Sequence, residues 1–212
     1  MTQFHLNFSY KASYSTLNEL KSSTKHIWIV CHGYGQLADH FIKRFDVFDA
    51  NEHFIVAPQG LSKFYVEKFQ KVGASWMTKE ERETDLENQR TYFNEIFNCL
   101  FNDINLGGYK IHLFGFSQGA SAICRLAAYQ KVAFDTLILW AGNFPFEMVR
   151  KDFDFVKPGA KLKVVLGSED NFYKMPSFQK EIDKAEKATG LTSELIRFEG
   201  KHVVDREVLK SC

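Results

Sequence analysis

The pentapeptide Gly115-Phe116-Ser117-Gln118-Gly119 constrains this chain more than any other stretch. It is preceded by the apolar run KIHLF at 110–114 and followed by the small-residue run ASAICRLAA at 120–128. A short apolar run leading into a helix-compatible segment predicts strand, tight turn, helix. Gly-x-Ser-x-Gly at such a junction presents the serine on a turn so sharp that bulky neighbours would clash, hence glycine on both sides. The hydroxyl is then exposed at the carboxyl end of a strand and above a helix N-terminus, a place that favours developing negative charge.

A serine hydroxyl is a poor nucleophile at neutral pH and needs a base, which in turn needs a group to orient it. With a strand-to-helix serine of this kind, the acid and then the histidine follow in the chain. Six histidines lie upstream, at 5, 26, 32, 40, 53 and 112; His202, in FEGKHVV, alone follows Ser117. The acid should end a strand between the two. KLKVVL runs into Gly167-Ser168-Glu169-Asp170, where Glu169 and Asp170 compete, and where an acidic pair could equally be a solvated loop and helix cap. Asp135 stands at the beginning of a strand, and Asp205 follows the histidine. An oxyanion also needs two preorganised donors. The backbone N–H of Gln118 supplies one, and that of Tyr34, in the turn His32-Gly33-Tyr34-Gly35, is the expected second.

The same turn supports a rival. Gly33-Tyr-Gly-Gln-Leu-Ala38 matches G-x-G-x-x-A, a dinucleotide fingerprint when it joins a strand to a helix. That reading requires an acid at the end of the next strand, and Ala57-Pro58-Gln59-Gly60 has none.

Along the chain, strands are expected at 4–10, 26–32, 53–57, 110–115, 135–141, 161–166 and 193–198. Helices are expected at 38–48, 84–104, 117–130, 176–189 and 203–210, with 59–83 irregular and 142–160 a loop or short helices. Strands alternating with helices predict an α/β domain over residues 1–212, with a mainly parallel sheet covered on both faces and its site at the carboxyl ends of the strands.

Composition narrows the function. The net charge of +1 gives no electrostatic case for nucleic acid or an anionic membrane. No apolar stretch approaches a membrane span, and the N-terminus lacks the pattern of a secretory signal. Cys31, Cys99, Cys124 and Cys212 form no CxxC pair and no metal-ligand spacing, which suits a reduced, cytoplasmic setting.

In order and spacing the chain resembles the small phospholipase/carboxylesterase family of α/β-hydrolases, which includes the acyl-protein thioesterases and bacterial carboxylesterases. The resemblance rests on HG-x-G at 32–35, GFSQG at 115–119, G-x-x-D at 167–170, the late His202, the pair Ser75-Trp76, and Ala141, Gly142 and Pro145. It implies an α/β-hydrolase fold without a cap domain and a serine hydrolase with catalytic Ser117, Asp170 and His202. It also implies no metal or cofactor. Cys31, Gln36 and Met77-Thr78 depart from the family's usual Leu, Asp and Phe-Asp. Phe64, Tyr65, Trp76 and Phe146 are the candidate substrate-binding residues, as walls of an apolar acyl groove. The expected partner is a small-molecule ester or thioester, with a homodimer left open and neither nucleic acid nor an integral membrane association expected. Alternatives are a lysophospholipase or acyl-protein thioesterase and, outside that class, a dinucleotide-binding protein or a hydrolase-fold protein that binds without catalysis.

Overall fold

A computed structural model describes residues 2–212. The elements run β1 (Tyr14–Leu17), β2 (His26–Cys31), α1 (Ala38–Phe41), β3 (His53–Pro58), β4 (Ser62–Val66), β5 (Lys71–Ser75), α2 (Arg82–Phe101), β6 (Lys110–Phe116), α3 (Gln118–Gln130), β7 (Thr136–Trp140), β8 (Lys161–Gly167), α4 (Met175–Thr189), β9 (Ser193–Phe198) and α5 (Arg206–Lys210).

Seven strands form one sheet in the order β1-β3-β2-β6-β7-β8-β9. β1 pairs antiparallel with β3, and every other pairing is parallel. The central strands are buried almost end to end, as a sheet covered on both faces requires. Their Val, Ile and Leu side chains suit that environment, and much of the phenylalanine is spent covering it. Phe41 and Phe45 pack on Phe114 of β6 with ring centroids 6.1 and 5.1 Å apart, and Trp140 of β7 lies 5.8 Å from the same ring.

Three segments differ from the sequence expectation. Residues 4–10 are not a strand. The ladder between β1 and β3 ends at Tyr14↔Pro58, and a single further bond, Gln59 N–H to Ser13 O at 3.3 Å, closes it. The alternating Phe4, Leu6, Phe8 and Tyr10 therefore meet no sheet face and are exposed. The helix expected at 38–48 is a short α1 followed by a 3-10 turn at Ile42–Phe45. The irregular stretch 59–83 contains the antiparallel hairpin β4–β5, registered Ser62↔Ser75 to Val66↔Lys71. Its turn passes through Glu67, Lys68 and Phe69, all at positive φ (49°, 52° and 70°), without the glycine or asparagine that normally marks such a turn.

The parallel strands all point their carboxyl ends the same way. That edge carries the His32 turn after β2, Ser117 after β6, Asp170 after β8 and His202 after β9.

Candidate active site

Ser117 occupies the turn between β6 and α3 with φ 54° and ψ −120°, a strained conformation for a residue with a side chain. The turn is held by Ser117 N–H donating to Trp140 O at 2.8 Å. Close packing enforces both flanking glycines. A Cβ on Gly115 would overlap the Gly119 carbonyl, and one on Gly119 would overlap the carbonyls of Cys31 and His32.

His202 meets Ser117 from the loop after β9. Its Nε2 lies 2.9 Å from Ser117 Oγ and its Nδ1 2.7 Å from Asp170 Oδ2. A carboxylate can only accept, so Nδ1 carries the proton and Nε2 accepts from the serine hydroxyl. Asp170 is 1 % exposed. Its other oxygen accepts from the Phe172 and Tyr173 amides at 2.8 and 3.0 Å, which fixes the carboxylate while it holds the imidazole. Of the two acids that compete in sequence, Asp170 reaches the histidine, while Glu169 is exposed and ties its own N–H to Gly200 O at 2.9 Å. The histidine loop is pinned behind the ring by Trp140 Nε1 donating to Val203 O (2.9 Å) and an Arg44 guanidinium N–H donating to Val204 O (3.2 Å). Phe116 and Phe172 flank the imidazole with centroids 4.9 and 4.6 Å away.

Two backbone donors face the same edge. In the turn after β2, Gly33 N–H is taken by Gln36 Oε1 (2.8 Å), Gly35 N–H by Ala74 O (2.8 Å) and Gln36 N–H by Gly33 O (3.2 Å). The Tyr34 amide has no such partner among the described residues, nor does the Gln118 amide at the first position of α3. Gln36, where the family pattern has Asp, thus still supplies a carbonyl acceptor to the turn. Below it, His32 donates from Nδ1 to Gly33 O (2.8 Å) and accepts Gly60 N–H on Nε2 (3.0 Å). Burial pushes the His32 pKa down to about 4, which keeps it the neutral ring that this pair of bonds needs.

The four candidate groove residues separate. Phe64 of β4 packs against the exposed Tyr34 ring, centroids 5.0 Å apart, beside the free amide. Tyr65, on the opposite face of the same strand, pairs with Phe69 instead. Phe146 is 74 % exposed, with the Arg82 guanidinium 4.7 Å above its ring. Trp76 departs from the groove expectation. It is 3 % exposed, donates Nε1–H to His32 O at 2.7 Å and packs on His32 and Phe93. It supports the turn from within the core. Two cavities, of about 240 and 270 Å³, flank the hairpin, and neither is lined by Ser117 or His202.

Sequence reasoning missed the side chain of Gln118. Its Nε2 donates to Met77 O (2.8 Å) and Ser75 Oγ (3.0 Å), and its Oε1 accepts Trp76 N–H (3.0 Å). The elbow motif draws attention to that residue's backbone, so only the unexplained polar character of the position hinted at a partner.

A mainly parallel sheet with helices on both faces, and a serine on a strained strand-to-helix turn at its carboxyl edge, is the architecture of the α/β-hydrolases. The dinucleotide reading has no counterpart here, because α1 spans only Ala38–Phe41 and β3 ends without an acid. No family model and no curated protein sequence matches the chain. Its fold is similar to acyl-protein thioesterase 2 from Zea mays, at a TM-score of 0.68 and 15 % identity over 95 % of this chain and 96 % of that one. It is also similar to a phospholipase/carboxylesterase from Dyadobacter fermentans, at 0.66 and 16 % over 96 % and 97 %. A carboxylesterase from Bacillus cereus gives 0.65 and 12 % over 94 % and 92 %. Among the described residues no helix is long and apolar enough to cross a membrane.

Proposed function

We propose that the chain is a serine hydrolase that cleaves carboxylic esters or thioesters through an acyl-enzyme. The observation that carries this reading is the continuous hydrogen-bonded line Ser117–His202–Asp170 beside two uncommitted backbone amides. Ser117 Oγ attacks the acyl carbon as His202 Nε2 takes its proton. Asp170 keeps the ring in the required tautomer and stabilises the imidazolium. The Tyr34 and Gln118 amides receive the carbonyl oxygen as it becomes negative, a contribution of about 10²–10³ in rate per donor in comparable sites. His202 then protonates the leaving group, and a water activated by the same ring hydrolyses the acyl-serine.

Among the described residues no cap covers this edge, so an open apolar rim, rather than an enclosed tunnel, receives the acyl chain. The likeness in fold to esterases and an acyl-protein thioesterase supports the substrate class. A lysophospholipid or an acylated protein differs from a simple ester only in the leaving group, and both are accommodated by the same chemistry.

The test is hydrolysis of p-nitrophenyl esters by wild type and Ser117→Ala side by side, with a fluorophosphonate probe. Ser117→Ala is expected to lower kcat by at least ~10³-fold and to abolish labelling. Normal turnover and labelling in the variant would remove Ser117 from the mechanism.

A further inference from the structure

One segment runs between the two amides proposed to hold the oxyanion, and it is bonded at both ends. At one end β5 is stitched to the turn after β2, by Gly35 N–H to Ala74 O (2.8 Å) and Ala74 N–H to Gln36 O (3.1 Å). Trp76 adds its indole N–H to His32 O (2.7 Å). At the other end the Gln118 side chain takes hold of the same few residues. Its amide donates to Ser75 Oγ and Met77 O, and its carbonyl accepts Trp76 N–H. Ser75 Oγ closes the segment on itself through Met77 O (2.8 Å), and Gln89 Nε2, itself buried, donates to Trp76 O (3.0 Å) from α2.

Trp76 is the shared member. Its indole holds the turn that carries Tyr34, and its backbone N–H holds the residue whose own N–H is the second donor. The two donors belong to different elements, β2's turn and the start of α3, and the β2–β6 ladder below them ends at Cys31↔Gly115. Beyond that last rung Gly119 packs on the Cys31 and His32 carbonyls, and the polar links between the two donor-bearing turns run through the segment that crosses between them. A bifurcated oxyanion contact needs both donors within a few tenths of an ångström of hydrogen-bond length at once.

We infer that Ala74–Met77 is a strut that sets the spacing of the Tyr34 and Gln118 amides, with Trp76 and the side chain of Gln118 as its positioning residues. Neither side chain touches the substrate. They act through the backbone donors, so loosening the strut weakens the tetrahedral state and leaves ground-state binding alone. The inference rests on the serine-hydrolase reading above.

Trp76→Phe tests it, because it keeps an aromatic ring in the core and deletes the N–H that reaches His32 O together with part of the indole's volume, whose cost to stability Tm reads separately. Gln118→Met is the second variant, removing the amide contacts at similar length while the Gln118 backbone N–H stays. For each, kcat and KM on p-nitrophenyl butyrate, Ki for an alkyl trifluoromethyl ketone that adds to the serine as a tetrahedral adduct, and Tm are measured. The expected result is a fall in kcat of about tenfold, part of the loss that deleting a donor outright produces. Ki should weaken in parallel, and KM should stay within about twofold of wild type. Should Trp76→Phe fail to fold, the same split in Gln118→Met decides. Unchanged kcat and Ki in a folded variant overturn the strut, as does a rise in KM matching the loss in Ki. If wild type itself is not labelled by fluorophosphonate at Ser117, the hydrolase reading fails and takes the strut with it.

Discussion

Glu169 and Asp170 are neighbours whose surroundings differ completely. Glu169 points to solvent, whereas Asp170 is buried and its carboxylate is fully occupied by His202 and two backbone amides. Asp170→Asn keeps the shape but offers an amide N–H or a neutral carbonyl to Nδ1. The imidazolium then loses its charged partner and the ring its tautomer. Loss of kcat by orders of magnitude, on the scale of ~10⁴ known for such replacements, is expected with little change in KM. Glu169→Gln should stay within a factor of about two, since a surface carboxylate contributes little. Kinetics of the two variants on one ester decide the matter, and the opposite ranking would move the acid to Glu169. At this scale the sequence was highly legible. That Ser117 and His202 should meet followed from motif and order, because a strained turn and a single downstream histidine leave few choices. The choice of acid needed the resemblance, since two adjacent carboxylates give the same pattern.

The β4–β5 hairpin shows why some elements escape a sequence reading. SKFYV and KVGAS carry charges and a glycine, so neither strand shows a clear apolar alternation. The turn residues Glu67, Lys68 and Phe69 carry no turn signature, although all three adopt positive φ. The opposite error arose at 4–10, where perfect alternation had no sheet edge beside it. Trp76 was misread for a related reason, because sequence cannot tell a loop aromatic that lines a groove from one that plugs the core beneath it. The hairpin also makes a prediction that separates its two faces. Phe64 packs on the Tyr34 ring, and Tyr65 turns away toward Phe69. Each buried CH₂ contributes about 0.8 kcal/mol, or about fourfold in kcat/KM. A series of esters from acetate upward should therefore climb over its first carbons in wild type. Phe64→Ala is expected to flatten that climb and to leave acetate turnover nearly intact, while Tyr65→Ala follows wild type. Equal behaviour of the two variants across the series would mean that the acyl chain does not run along this face.

At the scale of the whole molecule, buried histidines tie stability to pH. At the end of the sheet opposite Ser117, His26, His53 and His112 stack with one another and with Trp28. His26 and His53 are 4.4 Å apart, and His26 Nδ1 lies 2.9 Å from His112 Nε2. Burial lowers the pKa of all three, to about 3 for His112, as it lowers His32 to about 4 beneath the turn after β2. A histidine near 6.5 in the unfolded chain then takes up a proton on unfolding wherever the pH lies between that value and its folded one. The unfolded state binds more protons there, so stability rises with pH and is lost as pH falls. His32 and His112 each contribute a slope approaching ~1.4 kcal/mol per pH unit over that window. Against a typical 5–15 kcal/mol of total stability, slopes of that sign make acid destabilising. His112→Phe keeps an aromatic ring to stack on Trp28 and removes one titration. Urea unfolding of wild type and variant between pH 7 and 4.5 should give a slope of stability against pH that is shallower in the variant by about 1.4 kcal/mol per unit at the acid end. Parallel slopes would show that His112 is already protonated in the folded protein. In that case the stacked histidines at the foot of the sheet share charge with Asp135 and Glu52 rather than excluding it.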